Sequence, residues 1–141
     1  MTVAHQLAEF LTATSTDDLP EQALDHAAML IASTIASAAC GAGLESARII
    51  RTLARDRGGR RDASLWFDYG VKLPAADAAQ VNAVASDAAA SDDSDLRNIV
   101  HAGTPLTATA LAIAERIGEV AREFDEKLGV QLRFRMLILD R

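Results

Sequence analysis

The sequence predicts an all-α fold, a mostly helical bundle, with one small extended excursion near residues 64–73 and an alternating stretch in its C-terminal tail. Three observations carry this. The 141-residue chain is Ala-rich with only 4 % aromatics, and Ala is the strongest helix former and a poor strand former. Apolar residues recur at steps of three and four through most of it. Gly and Pro fall mainly at the ends of those periodic stretches.

Val3, Leu7, Phe10 and Leu11 mark one face of a first helix over residues 3–13. A polar break follows, in which Asp17 and Asp18 offer capping oxygens to a second helix. Pro20 suits the first turn of that helix, where its missing N–H costs nothing. Leu24, Ala28, Ile31, Ile35 and Ala38 define its face, and Gly41 and Gly43 serve as stops. A third helix spans 45–57, with Ala47, Ile50, Leu53 and Ala54 on one side and Arg48, Arg51, Arg55 and Arg57 around the rest. Gly58-Gly59 ends it. The segment SLWFDYGVKL holds the single Trp and Tyr and reads as a hairpin turning at Asp68–Gly70. Pro74 or Ala75 then opens an Ala-rich helix running to about Ala90. After the polar segment Ser91–Thr104, Pro105 starts another helix, which Gly118 closes. Residues 119–128 form a short charged helix. Beyond them Val130, Leu132, Phe134 and Met136 alternate with Gln131, Arg133 and Arg135, the pattern of a strand.

Half the residues are hydrophobic, enough for a core, so disorder over most of the chain is excluded. Twenty acidic against 14 basic residues give a net charge of −6, which disfavours nucleic-acid binding. The six arginines between Arg48 and Arg61 lack interleaved aromatics and read as a solvated helix face or an intersubunit ion-pair surface. A lone cysteine, Cys40, makes no internal disulfide and sits in an apolar run, where a thiol is inert. The N-terminus has neither the basic start nor the apolar run of a signal peptide, so the expected location is cytoplasmic. Ala27–Leu44 is uncharged, at the lower edge of the ~18–20 residues that span a membrane. It is built mostly of Ala, Ser, Thr and Gly, and a core helix wedged between other helices is the favoured reading, with no membrane partner.

Chemistry concentrates between Asp87 and Pro105. Asp87, Asp92, Asp93 and Asp95 lie close in sequence, with His101 a few residues on. Clustered carboxylates and an imidazole suit acid–base work near neutrality. On spacing alone, the competing reading, in which the aspartates cap helices and solvate a loop, is favoured. Asp and His also ligate divalent ions, but the Gly and terminal Glu of a calcium loop are missing, and no metal is expected. His101-Ala-Gly-Thr-Pro opens a helix, where free N–H groups would receive a substrate carboxylate at Thr104. The plain alternative makes Thr104 the helix cap and Pro105 its first helical residue.

Four stretches in order carry a resemblance. LAEFLTATSTDDLPEQALDHAAMLIASTIASAACGAG matches an opening helix, a Leu-Pro turn and a long small-residue helix; ASLWFDYGVKLPA follows a Gly-Gly turn; AADAAQVNAVASDAAASDDS carries an Asn and runs into an acidic element; HAGTPLTATALAIAE opens the next helix. Together they resemble the MmgE/PrpD family, which includes 2-methylcitrate dehydratase and cis-aconitate decarboxylase. The likeness covers about residues 5–118.

The resemblance implies a helical domain of a larger, usually homodimeric enzyme that uses neither metal nor organic cofactor. Family reactions eliminate water or carbon dioxide from citrate-like polycarboxylates, and one relative epimerises an amino-dicarboxylate. It makes His101 the active-site histidine, places Asp92 and Asp93 on the last two acidic positions of a D-x-D-D-[ST] element, and gives Ser94 its hydroxyl position. The expected site is therefore His101, Asp93 and Ser94 as catalytic groups, with Asp92 and Thr104 binding a polycarboxylate substrate. Ala90 stands where the first Asp of the element belongs, and Asp87 lies three residues before it on the same helix face. Family members also continue into a lid-like domain with further basic site residues. The expected organisation is a family-like helical fragment over 1–118 and a divergent tail over 119–141, weak or inactive without a homodimeric or complementing chain. A non-catalytic helical interaction module is the alternative from a different class.

Overall fold

The computed structural model describes residues 1–94 and 99–118. Within them the chain forms α1 (Val3–Ala13), a 3-10 turn (Thr16–Asp18), α2 (Glu21–Gly41), α3 (Glu45–Arg57), β1 (Ala63–Ser64), β2 (Lys72–Leu73), α4 (Ala75–Ala88) and α5 (Gly103–Ile117). The architecture is all-α with a two-stranded antiparallel hairpin, as the composition and periodicity predict. The short helix expected over 119–128 and the strand expected from Val130 lie outside the described residues.

α4 organises the fold, packing against α2, α3, α5 and the hairpin. Its small residues make this possible, since Ala, Ser and Gly let helix backbones approach closely. At the α2–α4 crossing Ser37 Oγ donates to the Ser86 carbonyl at 2.8 Å, and Ser86 Oγ donates to the Thr34 carbonyl at 3.1 Å. These buried hydroxyls are thus satisfied by the facing helix, which removes the cost of burying them. Ala38, Ala47 and Ala85 pack beside the pair. A second apolar cluster gathers Ala54, Leu65, Leu73, Ala78, Val81 and Ala112 between α3, α4, α5 and the hairpin.

Two polar side chains fasten the hairpin. Asn82 of α4, only 2 % exposed, accepts from the Trp66 N–H at 2.9 Å and donates to the Ser64 carbonyl at 3.0 Å. Glu115 of α5 accepts from the Ser64 N–H at 3.0 Å, the Ser64 hydroxyl at 2.7 Å and Lys72 Nζ at 3.3 Å. Asn82→Ala leaves two backbone groups without those partners and is expected to cost about 2 kcal/mol. Urea denaturation reads this directly, and an unchanged midpoint would remove Asn82 from the hairpin's support.

The arginine cluster is a solvent-facing surface, as expected, whose side chains also pair within the chain: those of Arg55, Arg57 and Arg60 stay 46, 54 and 79 % exposed. Arg55 and Arg51 reach Asp68 at 2.6 and 3.8 Å, Arg57 reaches Asp77 at 3.1 Å, and Arg60 reaches Asp62 at 3.2 Å. Arg61 donates to the Gly70 carbonyl at 2.8 Å. The acceptors lie on the hairpin, its approach and α4, so these arginines tie α3 and the segment after it to the rest.

Asp18 caps the turn before α2 rather than α2 itself. Its carboxylate accepts from the Ser15 N–H and hydroxyl, both at 2.8 Å, while Pro20 occupies the cap position of α2 in extended conformation. The Ser15 backbone bond, then its hydroxyl, hold the Asp18 carboxyl below its ordinary value. The turn therefore gains stability above the usual carboxylate range and loses it as pH falls through the lowered value.

The reading of Ala27–Leu44 as a core helix holds for its C-terminal part alone. Thr34, Ser37, Ala38 and Gly41 are buried, all in its C-terminal part, whereas Met29 and Leu30 are exposed. The crossing with α4 covers only that end. Cys40, which lies in an apolar run of the sequence, is exposed. By length and composition α2 is long and apolar enough to cross a membrane, with a mean hydropathy of 1.4. α1 buries none of its residues, and Phe10 stays 56 % exposed.

Candidate functional site

The site forms where α4 ends and α5 begins. Ala90 turns the chain off α4 in the left-handed region at φ 50°, and Ser91–Ser94 then pass the mouth of α5. α5 starts at Gly103, with Thr104 and Pro105 inside its first turn. Thr104 as cap and Pro105 as first helical residue are both corrected by this boundary. Pro105 is tolerated there because first-turn N–H groups have no intrahelical acceptor.

Two adjacent aspartates close this mouth from outside. Asp93 Oδ2 accepts the Gly103 N–H at 3.0 Å, so a carboxylate of the chain itself meets the positive end of α5. Its Oδ1 is buried and without a hydrogen-bond partner among the described residues. A Cβ on Gly103 would fall on the Asp93 carboxylate, so this approach needs glycine. Asp92 turns the other way. Its Oδ2 accepts from the Thr104 hydroxyl at 2.9 Å and lies 3.1 Å from His101 Nδ1. The Asp92 side chain is 3 % exposed and that of His101 47 %. A carboxylate only accepts, so His101 meets it through a protonated Nδ1, and in the neutral ring this leaves Nε2 as the nitrogen with a lone pair.

His101 borders an open cleft of about 250 Å³ lined also by Ala83, Val84, Asp87, Thr104 and Pro105. A larger depression of about 400 Å³ on α3 is lined by Glu45, Arg48, Ile49, Thr52 and Leu53; it holds no imidazole or thiol and lacks the convergence of groups seen at His101. Donor atoms of Asp87, Asp92 and His101 lie within 4.8 Å of one another.

Of the residues singled out from sequence, Asp92, His101 and Thr104 converge through hydrogen bonds. Asp93 is joined to the same helix start through Gly103, and Asp87 reaches the cleft from the last turn of α4. Ser94 is exposed at the loop's edge, and Asp95 lies outside the described residues. Gly103 is a site residue that composition and spacing do not single out, because only the returning acidic loop gives it a role.

A model of the MmgE/PrpD N-terminal domain matches residues 5–130. The chain belongs to the MmgE/PrpD family. No curated protein and no solved structure matches it. As an MmgE/PrpD N-terminal domain, its acidic element and its following histidine segment stand on either side of one helix start. Ala90 is the left-handed residue that follows α4, and Asp87, on the last turn of α4, lines the cleft.

Proposed function

We propose that this MmgE/PrpD domain supplies the acid–base centre of a cofactor-independent lyase, a dehydratase or decarboxylase, acting on a citrate-like polycarboxylate. The Asp92–His101 contact at the border of an open cleft supports this most directly. With Nδ1 committed to Asp92, His101 Nε2 is the group positioned to take or return a proton at a carbon beside a substrate carboxylate. In a dehydration, Nε2 takes the C–H proton, that electron pair forms the C=C bond, and the C–O bond breaks, its oxygen leaving as water after protonation. The same proton step without C–O cleavage, followed by protonation from the other face by a second acid, would serve an epimerase of an amino-dicarboxylate.

The charge of the cleft sets a condition. Asp87 lines it, and no Lys or Arg does among the described residues. A polyanion therefore needs cations from another segment or from a partner chain, which fits a homodimer or a complementing chain, in a cytoplasmic setting. The exposed apolar faces of α1 and α2 favour a second reading, a helical interaction module without catalysis.

Thermal unfolding followed by far-ultraviolet circular dichroism, with and without citrate-like acids, separates the two. A ligand that binds only the folded state raises the melting temperature, and one acid is expected to do so and to be turned over. If no acid shifts the melt or is consumed, with or without a complementing chain, the lyase reading fails and the interaction module stands.

A further inference from the structure

Thr104 lines the cleft, but its hydroxyl is committed to a partner within the chain. The residue is 4 % exposed, and its hydroxyl donates to Asp92 Oδ2 at 2.9 Å. That same oxygen meets His101 Nδ1 at 3.1 Å. A buried hydroxyl fixed in the first turn of α5 thus holds one carboxylate oxygen in place, and that oxygen holds the imidazole. Asp92 sits on a loop, so without an anchor its carboxylate would sample several rotamers. Asp93, bonded to the Gly103 N–H one residue away, fixes the loop backbone but not the direction of Asp92. Thr104 supplies the direction.

We infer that Thr104 is a positioning residue for His101, acting through Asp92 to keep the imidazole proton on Nδ1 and Nε2 open to the cleft. This rests on the reading of His101 as the acid–base group. It goes further by assigning a side chain that never touches the reacting atoms. The arrangement is the protein analogue of an oriented histidine in which a carboxylate sets the tautomer; here the carboxylate is itself set by a hydroxyl.

The test is a nitrogen-15 correlation spectrum of the histidine rings in the intact chain above the titration range, with His5 and His26 replaced by Gln to leave one signal. Free imidazole side chains favour the proton on Nε2. Wild-type His101 is expected to carry it on Nδ1. Thr104→Val keeps the side-chain shape and removes the donor, and is expected to move His101 towards the free mixture. Thr104→Ser is expected to restore the Nδ1–H form. A purely structural Thr104 would change the melting temperature without moving the tautomer. A wild-type ring protonated on Nε2, or a Thr104→Val ring unchanged from wild type, overturns the proposal.

Should Thr104→Val fail to fold, the unsubstituted chain decides. The Thr104 hydroxyl proton and the His101 Nδ1–H converge on one oxygen, so a solvent-protected hydroxyl signal with a cross-peak to that ring proton is required, and its absence refutes the assignment. The spectra need no substrate. Failure to turn over any acid would remove the lyase reading and leave the tautomer result intact. Where turnover is found, Thr104→Val is expected to lower kcat by about 10- to 100-fold with little change in KM.

Discussion

Gly41→Ala is expected to destabilise the domain by about 3 kcal/mol or more, towards the upper end of overpacking effects. A Cβ at this position would fall on the Ala85 carbonyl oxygen and come within 3.1 Å of its carbon and 3.2 Å of the Ala89 nitrogen. All three are backbone atoms of α4 and its end, so no side chain can swing aside. The helices must separate. Separation stretches the bonds of Ser37 to the Ser86 carbonyl and of Ser86 to the Thr34 carbonyl, leaving buried hydroxyls without partners. It also opens the Ala38–Ala47–Ala85 contact. Gly43→Ala is the control, because nothing lies within 4 Å of its added carbon. That change should be neutral or slightly stabilising through the unfolded chain. Urea denaturation of the two variants beside wild type gives the difference, and equal midpoints for Gly41→Ala and wild type would refute the close crossing. Since α4 also carries Asp87 and leads into the acidic loop, a separated α2–α4 pair should loosen the site as well.

Gly41 also shows where the sequence is legible and where it is not. As a helix terminator its position was readable, and α2 does end at Gly41. The reason differs from the local one. No left-handed conformation occurs there; the glycine is needed because another backbone touches it, a long-range fact that no window of neighbours contains. The spans of α1, α3 and α4 follow from apolar spacing and punctuation because those signals are local. What each amphipathic face packs against is not local. α1 has a well-formed apolar face yet buries nothing, and the arginines of α3 find partners on a hairpin that periodicity cannot locate. The site divides in the same way. Asp92, Asp93 and His101 stood out because they are near in sequence and chemically apt. The pairing of Thr104 with Asp92, and of Gly103 with Asp93, depends on the loop folding back across the start of α5. The helix cap expected at Thr104 was a sound local reading overruled by that return.

His101→Gln is expected to reduce turnover of the accepted acid by about 10²- to 10⁴-fold, the range a positioned general base contributes. The fold should survive, because the His101 side chain is 47 % exposed and its described bond is the single contact to Asp92. Gln keeps the length and a donor for that carboxylate but provides no nitrogen able to take a proton at neutral pH. Loss of rate with an unchanged melt would therefore identify proton transfer rather than architecture. Asp92→Asn makes the complementary case. Its amide can donate to Nδ1, which would place the ring proton on Nε2 and present the wrong face of the base to the cleft. The rate should fall while His101 itself remains, and the nitrogen-15 spectrum should show the proton on Nε2. Asp92→Ala differs again, since it strands the buried Thr104 hydroxyl and should lower the melting temperature too. The order of effects distinguishes the roles: His101 on rate alone, Asp92→Asn on rate and tautomer, Asp92→Ala on rate and stability. Turnover unchanged in His101→Gln would remove the imidazole from the chemistry, and with it the observation that best supports a lyase centre in this domain.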